Sequence, residues 1–331
     1  LRPAVQHDQA VGDFRVFRHL VSYPICRAGE LSGILLVSNG YRCNHRLLLL
    51  PMKLLEGKPI ADQMLARLEK EIREQRLRPG LGVILVGDDA ASHLYVTLKT
   101  RAAERVGIRV EKKLFLEDAP LSEIERTVDA FNEDASIHGI LVQLPLPAHI
   151  NAEAIINRIR IDKDADGFHL ENERRFLAGD PAFFPVFPHA ILELIRASRE
   201  PLRGKRAVIV GNSCRFGDMM RQVLLREGLE ASYVPCAECA SKRGLHEVGS
   251  ADVVVSACGK ESLLTGAMLK PGAIVVDGGI VKDGECVLGD VDRASVEGLE
   301  GFLSPVPGGV GPVTIACLLG NVVEAAKRQG K

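Results

Sequence analysis

Tyr95 and Lys99 lie four residues apart in Ser92 to Val106, a segment whose apolar spacing predicts a helix, so their side chains share one face. An amine beside a phenol can relay a proton and stack on a flat ligand; the plain alternative is a solvated cation–π pair. Gln143 falls at the end of Gly139-Ile-Leu-Val-Gln-Leu144, a run that is otherwise wholly apolar. A buried amide needs partners, and ligands of open parallel sheets gather at strand C-termini. Asp166 stands in Lys163-Asp-Ala-Asp-Gly-Phe-His169, where a carboxylate either meets a ligand or simply caps the turn.

Two backbone-rich segments could also bind. Lys205 to Val210 reads as a strand running into Gly211-Asn-Ser-Cys-Arg-Phe-Gly217, with a helix over Met219 to Glu227. A strand, a glycine-bracketed turn and a helix let backbone amides and a helix N-terminus approach a pyrophosphate. The spacing is not G-x-G-x-x-G, so a plain α/β turn stays open as a reading. Ser304-Pro-Val-Pro-Gly-Gly-Val-Gly-Pro-Val-Thr314 forms no regular element on these residues. It is either a stiff loop whose backbone meets a flat ligand or a turn before a terminal helix over Ile315 to Lys327.

The elements that must position these residues follow from hydrophobic period. Ile60, Met64, Leu65, Leu68 and Ile72 recur at helical spacing and stop before Pro79-Gly80. Leu81 to Val86 is a strand buried on both faces, and Val110 to Leu116 is strand-like. Ser122 and Glu125 suggest a capping box for the next helix. Ala231 to Val234, Val253 to Ala257 and Ala273 to Asp277 are further strands. Strands alternating with helices predict an α/β protein: two α/β domains around a cleft, the second a Rossmann-like dinucleotide-binding domain.

The chain has 331 residues, 46% hydrophobic and 26% charged, with a formal net charge of −1. Two cores fit that length, and no basic field exists to attract nucleic acid or an anionic membrane. The strongly apolar stretch around Leu47 to Leu50 is far short of a membrane span. Eight scattered cysteines form no disulfide framework, which favours a reducing, cytoplasmic location. Cys236-x-x-Cys239 lacks further ligands at zinc spacing, so it reads as two loop thiols and no metal is expected. Residues 1–51 carry six arginines, no lysine and three acids, without a regular period. They read as a transit peptide or as sequence upstream of a natural start at Met52, the second being favoured.

Four motifs together carry a resemblance. Val86-Gly-Asp-Asp-Ala-Ala-Ser-His-Leu-Tyr-Val-Thr-Leu-Lys99, Val142-Gln-Leu-Pro-Leu-Pro147, Lys163-Asp-Ala-Asp-Gly167 and Pro305-Val-Pro-Gly-Gly-Val-Gly-Pro312 resemble the bifunctional methylenetetrahydrofolate dehydrogenase/methenyltetrahydrofolate cyclohydrolase family, in order and spacing, from Met52 to Lys327. The resemblance implies oxidation of 5,10-methylenetetrahydrofolate with NADP⁺, or with NAD⁺, and hydrolysis of the methenyl product to 10-formyltetrahydrofolate, without a metal. Lys99 would be the acid/base of the hydrolytic step, Gln143 would orient it, and Tyr95 would stack on the folate. Asp166 would bind the pterin, with Pro307, Gly308 and Gly309 lining the folate cleft. Gly211, Asn212, Ser213, Gly217, Gly279 and Ile280 would contact the cofactor, with Lys242 or Arg243 on its 2′-phosphate. Residues 52–189 plus 304–331 would form the folate domain and 190–303 the NAD(P) domain of a homodimer.

The cofactor side departs from the family pattern. Where the turn usually reads G-R-S-x-x-V-G-x-P, Asn212, Arg215, Phe216 and Asp218 stand here. A usual P-C-T-P is Pro185-Val-Phe-Pro188, and Gly278 is looser than usual. Two alternatives follow: a cyclohydrolase with a degenerate nucleotide site, and a non-catalytic folate-binding paralogue.

Overall fold

Residues 52–284 and 286–330 are described by the structure, a computed structural model; the readings made for residues 1–51 lie outside the described residues. The strands are β1 (Lys53–Leu54), β2 (Gly80–Val86), β3 (Arg109–Phe115), β4 (Gly139–Val142), β5 (Arg206–Gly211), β6 (Glu230–Pro235), β7 (Val253–Ala257), β8 (Ala273–Asp277), β9 (Val281–Asp283), β10 (Cys286–Leu288) and β11 (Gly301–Leu303). The helices are α1 (Gly57–Glu74), α2 (Ala90–Arg105), α3 (Leu121–Glu133), α4 (Ala152–Arg158), α5 (Leu170–Ala178), α6 (Val186–Ala197), α7 (Cys214–Arg226), α8 (Lys242–Gly249) and α9 (Val310–Gln329).

Two parallel sheets result, as the alternating pattern predicts. One has three strands in the order β3-β2-β4. The other has six, β1-β11-β8-β7-β5-β6, all parallel, with a β9–β10 hairpin beside it. Every residue of β2, β4 and β8 is buried, which explains their unbroken apolar runs. Lys53–Leu54, sequence-distant from the rest of its sheet, pairs in parallel with Phe302–Leu303.

α9 ties the molecule together. It is long and apolar enough to cross a membrane by length and composition, yet 61% of it is buried within the protein. Its residues Val313, Leu318, Leu319 and Val322 share one core with Leu65 of α1, Ile191 of α6 and Ile209 of β5. It starts at Val310, five residues before the predicted start. Pro312 sits in the first turn, where a missing N–H costs nothing.

Two further expectations fail for physical reasons. Ser122 caps nothing: Pro120, with φ −60° and an extended ψ, already ends the loop, and α3 begins one residue later. Cys236 and Cys239 are not two loop thiols. Cys236 is joined to Cys258, with 6.0 Å between their Cα atoms, and Cys239 is buried and free. These two cysteines follow β6 and β7, which flank β5; a separation of 22 residues hid the pairing.

Candidate active site

Three of the singled-out residues meet in one cavity of about 210 Å³, lined by Lys99, Gln143 and Asp166 together with Val142, Leu144, Phe168, Val186, Phe187 and Thr314. Lys99 arrives from α2, whose start is fixed by Asp89: its carboxylate accepts from the Ser92 N–H and hydroxyl, each at 2.8 Å. Gln143 follows directly on β4, where its backbone N–H still bonds Ile84 at 2.9 Å. The chain then leaves the sheet through the cis peptide Leu144-Pro145. Lys99 Nζ donates to Gln143 Oε1 at 3.0 Å, and Gln143 Nε2 donates to the Leu144 carbonyl at 2.7 Å. The amide is therefore locked with its oxygen toward the amine. Two N–H bonds of the ammonium, or one lone pair of the neutral amine, are left for a ligand.

Asp164 explains how Asp166 comes to face the cavity. The Asp164 carboxylate is buried and accepts from the backbone N–H of Gly167, Phe168 and His169 and from Asn172 Nδ2, at 2.8 to 3.3 Å. The capping role open to the segment thus belongs to Asp164, and no protein hydrogen bond to the Asp166 carboxylate occurs among the described residues. Burial pushes the Asp166 carboxyl up to about 6; Lys99 pulls it down and Asp164 raises it further. A partly buried carboxylate without protein donors is primed to accept N–H groups from a ligand.

The remaining folate-side residues are placed differently. Tyr95 is partly buried one turn before Lys99 on α2, outside the cavity lining. Pro307, Gly308 and Gly309 also lie outside that lining: they form the turn before α9, and the Gly308 carbonyl accepts from Gly57 N–H at 2.8 Å. Thr314, in the second turn of α9, reaches the cavity instead. Nothing in its residue type or spacing marked it.

The nucleotide-type turn sits at the C-terminal ends of β5, β7 and β8. Gly211 ends β5 and its carbonyl accepts from the Tyr233 hydroxyl at 2.8 Å. Ser213 is the N-cap of α7 and accepts from Phe216 N–H, leaving the Cys214 and Arg215 N–H groups without an intrahelical partner. Gly217 is buried against the Tyr233 ring. Asn212 is exposed, and its Nδ2 donates to the Cys258 carbonyl at 3.1 Å. Lys242 and Arg243 open α8, where Ser241 caps Gly244 N–H and Arg243 lies 4.0 Å from Glu238. Free N–H donors at one helix start and two cations at another fit a dinucleotide phosphate.

Gly279 and Ile280 belong to the opposite wall, and Ile280 is exposed. The buried Asp290 carboxylate holds this wall by accepting from Ser256 Oγ at 2.5 Å, Cys258 N–H at 2.7 Å and Lys260 N–H at 2.8 Å. A Cβ on Gly279 would stand 2.1 Å from Asp290 Oδ1. Gly279→Ala is therefore expected to expel that carboxylate, lowering stability by about 3 kcal/mol and NADP⁺ affinity by about tenfold. Urea unfolding and calorimetry measure the two effects.

Arg215 turns away from the phosphate side. Its Nε donates to the Glu173 carboxylate at 2.6 and 2.7 Å, and Nη2 donates to the Phe168 carbonyl at 3.0 Å. It links the α7 turn to α5 and to a wall of the cavity. Burial raises the Glu173 carboxyl, and Arg215 opposes that rise. Arg215→Ala is expected to cost about 2 kcal/mol in urea unfolding, since it strands a mostly buried carboxylate; Glu173→Gln in the same chain recovers most of it.

A dinucleotide-type sheet beside an amine–amide–carboxylate cavity defines a class: a two-ligand α/β enzyme with one nucleotide and one flat, NH-bearing substrate. Comparison with known proteins makes the class specific. Residues 55–166 match the model of the tetrahydrofolate dehydrogenase/cyclohydrolase catalytic domain, and residues 185–330 match that of its NAD(P)-binding domain. The bifunctional protein FolD of Cupriavidus necator is 42% identical over 285 residues, which cover 84% of this chain and 99% of the relative. That of Bacillus subtilis is 39% identical over 279 residues, 83% of this chain and 98% of its own. The solved bifunctional FolD of Campylobacter jejuni aligns with a TM-score of 0.78 at 38% identity, over 84% of this chain and 99% of its own. The Trypanosoma brucei enzyme, complexed with NADP cofactor and inhibitor, also aligns at 0.78, with 32% identity over 85% and 99%. The chain belongs to the tetrahydrofolate dehydrogenase/cyclohydrolase family.

Proposed function

We propose that the chain oxidises 5,10-methylenetetrahydrofolate with NADP⁺ and hydrolyses the methenyl product to 10-formyltetrahydrofolate. The observation that carries this reading is the single cavity in which Lys99, held by Gln143, faces Asp166. Asp166 accepts two N–H groups of the pterin and fixes the ring. NADP⁺, when bound at the β5–α7 turn, supplies the two-electron acceptor for the methylene carbon. Lys99 then takes a proton from the water that adds to the methenyl carbon and returns one as the ring opens. The Gln143 amide keeps Nζ aimed at that carbon, and Val142, Leu144 and Val186 keep bulk water from the site. Methylenetetrahydrofolate supplied with NADP⁺ or NAD⁺ should yield methenyl absorbance; no turnover with either removes the oxidative half.

One observation favours a second reading, a cyclohydrolase with weak cofactor affinity. Asn212 and Arg215 are both committed to protein partners, which leaves Lys242 and Arg243 as the nearby cations proposed for the 2′-phosphate. Calorimetric NADP⁺ binding in the micromolar range excludes that reading. Homodimerisation and a cytoplasmic location belong to the same proposal and rest on the family resemblance. Cytosolic disulfides are uncommon, so thiol titration of Cys236 and Cys258 in freshly lysed cells bears directly on location.

A further inference from the structure

Phe187 and Gly278 each depart from the family's sequence pattern, and the structure shows that the two belong together. Phe187 sits in the first turn of α6 and lines the cavity that holds Lys99 and Asp166. Its ring packs on Phe216 in the first turn of α7, 5.2 Å between centroids at 44°. Its far edge rests over Gly278, just past the C-terminal end of β8. A Cβ at Gly278 would stand 2.9 Å from Phe187 Cζ and 3.0 Å from the Ser256 carbonyl oxygen. The Gly278 backbone is not left-handed, so it is space and not conformation that calls for glycine there. One aromatic ring therefore touches the folate cavity, the nucleotide-type turn and the end of a central strand.

That position links the proposed folate cavity to the end of β8. The ring lines the cavity and also reaches the C-terminal end of β8, and dinucleotides bind at strand C-termini in such sheets. Transfer between two bound rings requires reacting atoms about 3 to 3.5 Å apart, and a misplacement of about 1 Å costs roughly 100-fold. We propose that Phe187, seated on Gly278 and propped by Phe216, is the positioning residue that sets the gap between the pterin and the nicotinamide. This rests on the oxidative half of the proposed function. The ring's seat controls the redox step, whereas hydrolysis depends on the Lys99–Gln143 pair.

Gly278→Ala tests the seat, since its methyl must push the Phe187 edge by several tenths of an ångström and also crowds the Ser256 carbonyl. Dehydrogenase kcat is expected to fall about tenfold, with a larger kinetic isotope effect on methylene-deuterated substrate, while methenyl hydrolysis falls less than threefold. Phe187→Ala is expected to lower dehydrogenase kcat by at least as much. Adding Gly278→Ala to Phe187→Ala should then cost far less than it does alone, because only the approach to the Ser256 carbonyl remains once the ring is gone. Parallel loss of both activities in Gly278→Ala overturns the proposal, as does a full tenfold further loss in the double variant or an unchanged Phe187→Ala. Wild-type protein without dehydrogenase turnover removes the oxidative reading itself, and this proposal with it; wild-type turnover with any of the other outcomes overturns this proposal alone.

Discussion

Lys99→Met is expected to lower methenyltetrahydrofolate hydrolysis by about a thousandfold while leaving the fold intact. A positioned acid/base contributes roughly 10² to 10⁴ in rate, and among the described residues no second amine lines the cavity. Methionine keeps most of the volume of the lysine stem, so packing along α2 changes little. The loss to stability is one hydrogen bond, since Gln143 Oε1 forfeits its donor, and amounts to about 1 kcal/mol. Oxidation does not require the amine's proton transfer. In the presence of NADP⁺ the variant should accumulate the methenyl species that the wild type consumes. Stopped-flow absorbance of the methenyl compound reads both rates, and a variant that hydrolyses as fast as wild type removes Lys99 from the chemistry.

Asp166→Asn should show opposite effects on function and stability. The substitution removes the negative charge and puts an N–H₂ donor against the donor edge of the pterin. Losing two charge-assisted hydrogen bonds is expected to lower kcat/KM by about 100-fold or more. The empty protein, in contrast, gains. A carboxyl of ordinary value 3.8 in the unfolded chain titrates at about 6 when folded. The folded chain holds that proton more tightly. Its contribution to stability is therefore full below pH 3.8 and is lost as pH rises through about 6. At pH 7 the ionised, undonated carboxylate costs the apo protein about 1 to 3 kcal/mol, which asparagine relieves. Thermal unfolding of the apo variant at pH 7 should rise by several degrees, with little difference from wild type near pH 4. A lower midpoint at pH 7 contradicts the assigned environment of Asp166.

How much of this was legible beforehand differs by element. β7 and β8 run as read, Val253–Ala257 and Ala273–Asp277, because strands buried on both faces leave an unbroken apolar record. Gln143 stood out locally as an amide closing an apolar strand, whereas Lys99 and Asp166 each had a plain alternative and stood out only through the family motifs. Which acid of Lys163 to His169 caps the turn is seen only where the Asp164 carboxylate accepts its N–H groups. α9 begins earlier than read because its glycines and prolines look like loop. A first helical turn tolerates both when the preceding chain, here Gly57 N–H to the Gly308 carbonyl, is pinned by another element. The contacts of the cofactor wall were invisible for a different reason. Arg215 with Glu173, Cys236 with Cys258, and Asp290 beneath Gly279 pair residues 22 or more positions apart, except the last, which joins two ends of a hairpin. No local period records such pairs. Phe187 and Gly278 are the sharpest instance: each alone looks like a defect, and only their contact shows one repacked wall.

The most direct measurement is a crystal structure of the chain with a stable folate analogue bound. The pterin should lie in the cavity of Lys99 and Gln143, with two of its N–H groups within 2.7 to 3.2 Å of the Asp166 oxygens. Lys99 Nζ should still donate to Gln143 and point at the one-carbon position. A pterin bound elsewhere, or one in the cavity with Asp166 turned from it, contradicts the assignment of all three residues.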